Sequence, residues 1–169
     1  MYSFDEQLKL GKQGELIIDY YLSHYYDLRA ASRAEQRLGI DSVLTSHAGK
    51  VVKLEYKTDF MSQKTGNIVI ETISVDTRNK PGWGLTSKSD IIIFYLYHLH
   101  RLFFIKTSLI KDNIAQWQQD YRTVKIRNKD YHTHGVLVPV VVLENIAWRI
   151  VDNVDPEFVK AAILSKNRT

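Results

Sequence analysis

The segment Val51-Val-Lys-Leu-Glu-Tyr-Lys-Thr58 constrains this chain more than any other. Side chains on a strand alternate faces, so Val52, Leu54 and Tyr56 share one face while Lys53, Glu55 and Lys57 share the other. The apolar face must be covered by another layer. The opposite face carries an acid and a lysine side by side, and an isolated Glu-x-Lys of this kind is most often a solvated surface. Its neighbours in the sequence set this one apart.

A second strand-like run, Gly39–Leu44, precedes it through the turn-rich connector Ser46-His47-Ala48-Gly49-Lys50, which predicts a hairpin. Asp41 sits inside that run, between Ile40 and Ser42-Val43-Leu44. Aspartate is depleted in strands, and burying one is costly unless it is paired or bound to a cation. The hairpin brings Asp41 towards Glu55, and two carboxylates that close repel unless a cation lies between them. Few oxygen ligands, with room left for water, suit Mg²⁺ or Mn²⁺. Cysteine is absent, which excludes disulfides and thiolate metal sites and is compatible with a reducing cytoplasm.

Upstream, Ser3 and Glu6 form a capping box that starts a helix near Phe4, running to about Tyr26. Leu8, Ile18, Leu22 and Tyr25 form its apolar stripe, and Glu15 falls on that stripe. Glu15 either snorkels to water from the stripe's edge or reaches the same metal as Asp41 and Glu55. Downstream, the strand Asn67–Val75 carries Glu71, which either lines the site from beside the Glu55 strand or blunts a sheet edge. A loop over Asp76–Ser89 holds Gly82-Trp83-Gly84, whose indole either stacks on a base or plugs the core; the former is preferred.

Two apolar strands, Asp90–Tyr97 and Leu102–Lys106, come next. Thr107 or Ser108 then caps a second helix that buries Leu109, Ile110, Ile114 and Trp117. Strands at Thr123–Arg127 and Val136–Val138 follow, and Asp155-Pro156 opens a last helix. His132 and His134 read as surface-loop residues, because no partner carboxylate is evident. The order predicts an α/β sandwich with a central mixed sheet, as one domain over residues 1–169. No apolar stretch is long enough to span a bilayer, and no secretory signal is visible.

Gly11-Lys12-Gln13-Gly14-Glu15, Gly39-Ile40-Asp41 and Leu54-Glu55-Tyr56-Lys57 together resemble the PD-(D/E)XK nuclease superfamily, with Ile40 in place of the motif's proline. The likeness in element order runs to Gln119. It implies a restriction endonuclease-like three-layer sandwich and metal-assisted hydrolysis of phosphodiester bonds in duplex or branched DNA. Asp41 and Glu55 would hold Mg²⁺ or Mn²⁺, with the Tyr56 carbonyl as a further ligand and Glu15 supporting the metal shell. Lys57 would orient water or stabilise charge on the phosphate. Lys12, Arg37, Lys64, Lys80, Trp83 and Lys88, with Arg33 and Arg78, are the candidate DNA contacts. The net charge of +4 permits such a partner without requiring one. The resemblance also implies a homodimer as an option. The alternative is a catalytically inactive nucleic-acid-binding protein that keeps the fold. No phosphate-cradling glycine loop is present, so ATP dependence is not expected.

Overall fold

Two apolar faces of one sheet organise the chain, seen here in a computed structural model that describes residues 4–157, 159 and 161, with residues 4–10 as backbone alone. The elements run α1 (Phe4–Ser23), β1 (Asp27–Ala30), α2 (Arg33–Gln36), β2 (Ser42–Thr45), β3 (Val51–Asp59), α3 (Ser62–Thr65), β4 (Asn67–Val75) and β5 (Lys80–Pro81). Then come α4 (Trp83–Thr86), β6 (Ile91–Leu96), β7 (Arg101–Lys106), α5 (Thr107–Asp120), β8 (Thr123–Arg127), β9 (His132–Pro139), α6 (Val140–Ile146) and β10 (Arg149–Val151).

One sheet has the order β1-β2-β3-β6-β7-β10, and its mixed character comes from the parallel pair β3–β6 within otherwise antiparallel neighbours. The other is antiparallel, in the order β5-β4-β9-β8. Strand β6 is buried on both faces, which is why its sequence reads Ile-Ile-Ile-Phe-Tyr-Leu without polar alternation. Ile92, Phe94 and Leu96 pack with Ile68, Ile70, Val136 and Val138 of the second sheet and with Ile110, Ile114 and Trp117 of α5. Ile93 and Tyr95 pack with Ile17, Ile18 and Leu22 of α1. Each fully buried aliphatic side chain contributes about 1.5–3 kcal/mol, so these two interfaces hold the layers together. The expected sandwich is present: a mixed sheet with α1 on one face, and α5, α6 and a smaller sheet on the other. No helix among the described residues is long and apolar enough to cross a membrane.

Several expectations need correction. Helix α1 ends at Ser23, and Asp27–Ala30 forms an edge strand whose mostly exposed residues show no apolar alternation. The Ser3–Glu6 capping box and the Leu8 side chain lie outside the described residues. Strand β2 starts at Ser42, so Asp41 stands just before it. Strand β4 lies in the second sheet between β5 and β9, neither beside Glu55's strand nor at an edge. Neither Thr107 nor Ser108 caps α5: Lys106 holds that position without a side-chain cap, and the Thr107 hydroxyl is 2.8 Å from that of Ser89. Strand β9 begins at His132, four residues before the short strand expected at Val136.

Candidate active site

The site begins where β2 runs out. Ser42 pairs with Leu54, and the Asp41 N–H still donates to the Leu54 carbonyl at 2.8 Å. One step further the ladder has no strand to offer. The Asp41 carboxylate takes its place, accepting from the Tyr56 N–H at 2.7 Å. N–H and C=O of one strand residue point to the same side, so the Tyr56 carbonyl faces the same edge as Asp41. The aspartate that looked anomalous in an apolar run is a strand-end cap aimed at β3.

Glu55 and Lys57 share the face of β3 that looks towards the second sheet. Glu55 is 3% exposed, and Lys57 Nζ lies 2.6 Å from its Oε1. Its Oε2 is buried with no hydrogen-bond partner. Gly39 has φ +74°, and a Cβ there would stand 3.1 Å from Glu55 Oε2 and 3.3 Å from Ser87. The turn before Asp41 therefore brings bare backbone up to the buried carboxylate, where a side chain would be both strained and crowded. Lys57 Nζ also sits 4.9 Å from the Trp83 ring centroid. An ion pair and a cation–π contact thus fix the ammonium in one place.

Glu15 is surface-accessible on α1, yet enough protein surrounds its carboxyl to matter. Its pKa is raised by desolvation first, then by the charges of Asp41 and Asp19, with Lys57 and Lys12 opposing. Glu15 is thus exposed on α1, with its carboxyl in the field of Asp41 and Lys57. Asp19 is the residue that sequence reasoning missed. It accepts a hydrogen bond from the Tyr56 hydroxyl at 2.8 Å. Its own pKa is raised by desolvation and by Asp41, against the lowering effect of that hydrogen bond. Desolvation and the Asp19 charge push the Tyr56 hydroxyl pKa upward. The spacing of Glu15 and Asp19, one helical turn apart, was the available signal.

Glu71 reaches this region from the second sheet. Its Oε1 accepts from the Trp83 N–H at 3.3 Å, and burial raises its pKa against the lowering influence of that hydrogen bond, Lys57, Ser74 and Lys80. A carboxyl with a raised folded pKa binds its proton more readily in the fold than in the unfolded chain. Stability therefore falls as pH rises from the ordinary value of 4.5 through the raised one. Glu71→Gln keeps the acceptor for Trp83 and removes the charge. The variant should melt higher than the parent at neutral pH, with the difference vanishing well below the ordinary glutamate value. Thermal melts across that pH range check this, and equal melting at neutral pH would contradict it.

The proposed DNA-contact residues divide. Lys12 neighbours Glu15 and Lys80 neighbours Glu71 electrostatically. Lys88 donates its N–H to Leu38 at 2.8 Å, which brings it beside Arg37 at the end of α2. Lys64 lies on α3, Arg33 on α2 and Arg78 on the turn before β5. Trp83 packs partly into the core: half-buried, its ring is 6.0 Å from that of Phe94, while Lys57 lies over it. His132 and His134 are strand residues, and their partner carboxylate is Asp76, with ring nitrogens 3.2 and 3.5 Å from its Oδ2. The two segments meet only through sheet pairing, so their spacing along the chain carries no sign of the contact.

Among the described residues no three acidic or imidazole groups are already gathered as a metal cage. Asp41 and the Tyr56 carbonyl lie along one edge of β3 and Glu55 on its face, oxygen donors of a kind that suits an ion that keeps its waters, as Mg²⁺ does. An apolar recess of about 220 Å³ beside Leu22, Phe104 and Trp148 lies on the α1 side of the sheet, away from Lys57. No protein-family model and no curated protein matches the chain. Among solved structures, a bacterial homing endonuclease is similar over 83% of this chain and 78% of its own, at 18% identity and a TM-score of 0.42.

Proposed function

We propose that this chain is a metal-dependent endonuclease that hydrolyses phosphodiester bonds in DNA. The observation that carries the reading is the Glu55 carboxylate, 3% exposed, with one oxygen on Lys57 and the other without a partner. A buried acceptor left unsatisfied costs about 1–3 kcal/mol, more when charged, and a divalent cation removes that cost. Asp41, Glu55 and the Tyr56 carbonyl would hold the ion, with Glu15 placed to support it through water. A bound Mg²⁺ or Mn²⁺ would supply Lewis-acid polarisation of the phosphate and a more acidic bound water.

The protein's own part is positional and electrostatic. Asp41 is locked by the Tyr56 N–H, so its second oxygen keeps a fixed direction. The Lys57 ammonium, held between Glu55 and Trp83, is preorganised to meet negative charge as it develops on the phosphate. Glu15 and Asp19 add negative potential behind Asp41, which favours a cation over a neutral ligand.

Incubation with supercoiled plasmid, a four-way DNA junction and RNA, with Mg²⁺, Mn²⁺ or chelator, tests this. DNA cleavage is expected with either metal and none with chelator. Folded protein that cuts none of these substrates in either metal would sink the reading.

A further inference from the structure

The chain's excess of positive over negative charge is concentrated at one hairpin. Between Arg122 and His134 stand four cations, Arg122, Lys125, Arg127 and Lys129, and one acid, Asp130: a net +3 within a whole-chain net of +4. The sheet register places Lys125 opposite His134 and Arg127 opposite His132, so these four side chains share one face of the β8–β9 ribbon. Strand β8 is an outer strand of its sheet and is largely exposed.

The ribbon is clamped. Asp76 accepts from the His132 N–H at 2.9 Å, and its Oδ2 lies 3.4 Å from Lys125 and close to both imidazoles. The Thr133 hydroxyl adds a bond to the Ser74 carbonyl at 2.9 Å. Edge charges alone would suffice to prevent strand-to-strand aggregation. That role explains neither the clamp nor the location. Glu71 pairs with Gly135 and Ile73 with His134, so the ribbon starts one strand away from the carboxylate that supports Trp83 beneath Lys57. From Gly135 it extends about 10 Å, three residues at about 3.3 Å each, before its turn.

We infer that the β8–β9 hairpin is a duplex-DNA docking ribbon that holds the substrate to one side of the Lys57 site. The inference rests on the nuclease reading and names a binding surface for it. A two-stranded ribbon fits the major groove of B-form DNA, about 12 Å wide, whereas the deep, narrow major groove of duplex RNA does not admit it. Arg127 and Lys129 would meet phosphates, while Asp76 keeps Lys125 and the histidines in register.

The test measures binding of a short fluorescent DNA duplex in chelator, against salt concentration, for wild type and for Arg127→Ala/Lys129→Ala. Both positions are exposed, and a melting curve confirms folding. The variant should bind about tenfold more weakly, with the log–log salt slope reduced by about 0.9 per lost contact. Lys50→Ala, on the far β2–β3 turn, serves as the control for net charge. Wild-type affinity and slope in the double variant would overturn the ribbon, as would an equal loss per charge in Lys50→Ala or equal binding of duplex RNA. A wild type that cuts DNA while the double variant binds normally defeats the ribbon alone; a wild type that neither binds nor cuts DNA defeats the nuclease reading with it.

Discussion

Replacing Lys57 with methionine should slow DNA cleavage by about 10²–10³-fold, the usual loss on removing one group that stabilises transition-state charge. The same change should destabilise the metal-free protein by about 3 kcal/mol. That is the lower end of the range for breaking a buried ion pair, chosen because Lys57 is 29% exposed while Glu55 is 3% exposed. Methionine keeps an unbranched apolar stem of similar length against Trp83, so the deficit is one of charge rather than packing. Glu55 is then left with a buried carboxylate that has no partner on either oxygen.

A divalent cation should repair the second deficit and not the first. Ligand binding to the folded state adds RT ln(1 + [L]/Kd), about 2.7 kcal/mol at a hundredfold excess over Kd. Mg²⁺ should therefore raise the melting temperature of the Lys57→Met protein by more than that of wild type, while single-turnover cleavage stays slow. Glu55→Gln should lose the metal-induced shift altogether. Cleavage by Lys57→Met within a few-fold of wild type would remove Lys57 from the chemistry. An identical Mg²⁺ response in all three proteins would remove Glu55 from the metal site.

The heart of the site was legible because it is local. Period two placed Glu55 and Lys57 on one face of β3, and a single hairpin placed Asp41 against Tyr56 of the same strand. The central strands were legible for a related reason: β6, buried on both sides, has no option but to be apolar throughout. What escaped depends on pairing between distant segments. Strand β4 cannot be assigned to a separate sheet from its own residues, so the sequence offers Glu71 as lining the site beside β3 or blunting an edge, and it arrives instead from the opposite layer. His132 and His134 looked like loop residues because Asp76, their partner, comes from the far end of β4. Strand β1 escaped because an exposed edge strand needs no apolar face, and Asp-Leu-Arg-Ala has none.

The two glycines of α1 separate the demands of helix formation from those of the site. By propensity alone each costs about 1 kcal/mol relative to alanine, so Gly→Ala should stabilise at either position. At Gly11 that holds: a Cβ there meets nothing within 4 Å, and Gly11→Ala should raise stability by up to about 1 kcal/mol. At Gly14 a Cβ would overlap Thr58 Oγ1 and come within 2.8 Å of both Thr58 Cβ and Cγ2. Helix and strand touch backbone to side chain at this point, with little room to yield. Overpacking of this kind costs about 1–3 kcal/mol and outweighs the propensity gain. Gly14→Ala should therefore lower the melting temperature by several degrees, at about 2–4 °C per kcal/mol for a chain of this size. The helix can relieve the clash only by lifting from β3, which stretches the Asp19–Tyr56 hydrogen bond and carries Glu15 away from Asp41. Cleavage should then fall by more than stability requires at a temperature where the variant is fully folded. Thr58→Ala removes Oγ1 and Cγ2 and should restore most of both in the double variant. A Gly14→Ala protein as stable and as active as Gly11→Ala would show that α1 does not set the position of Glu15.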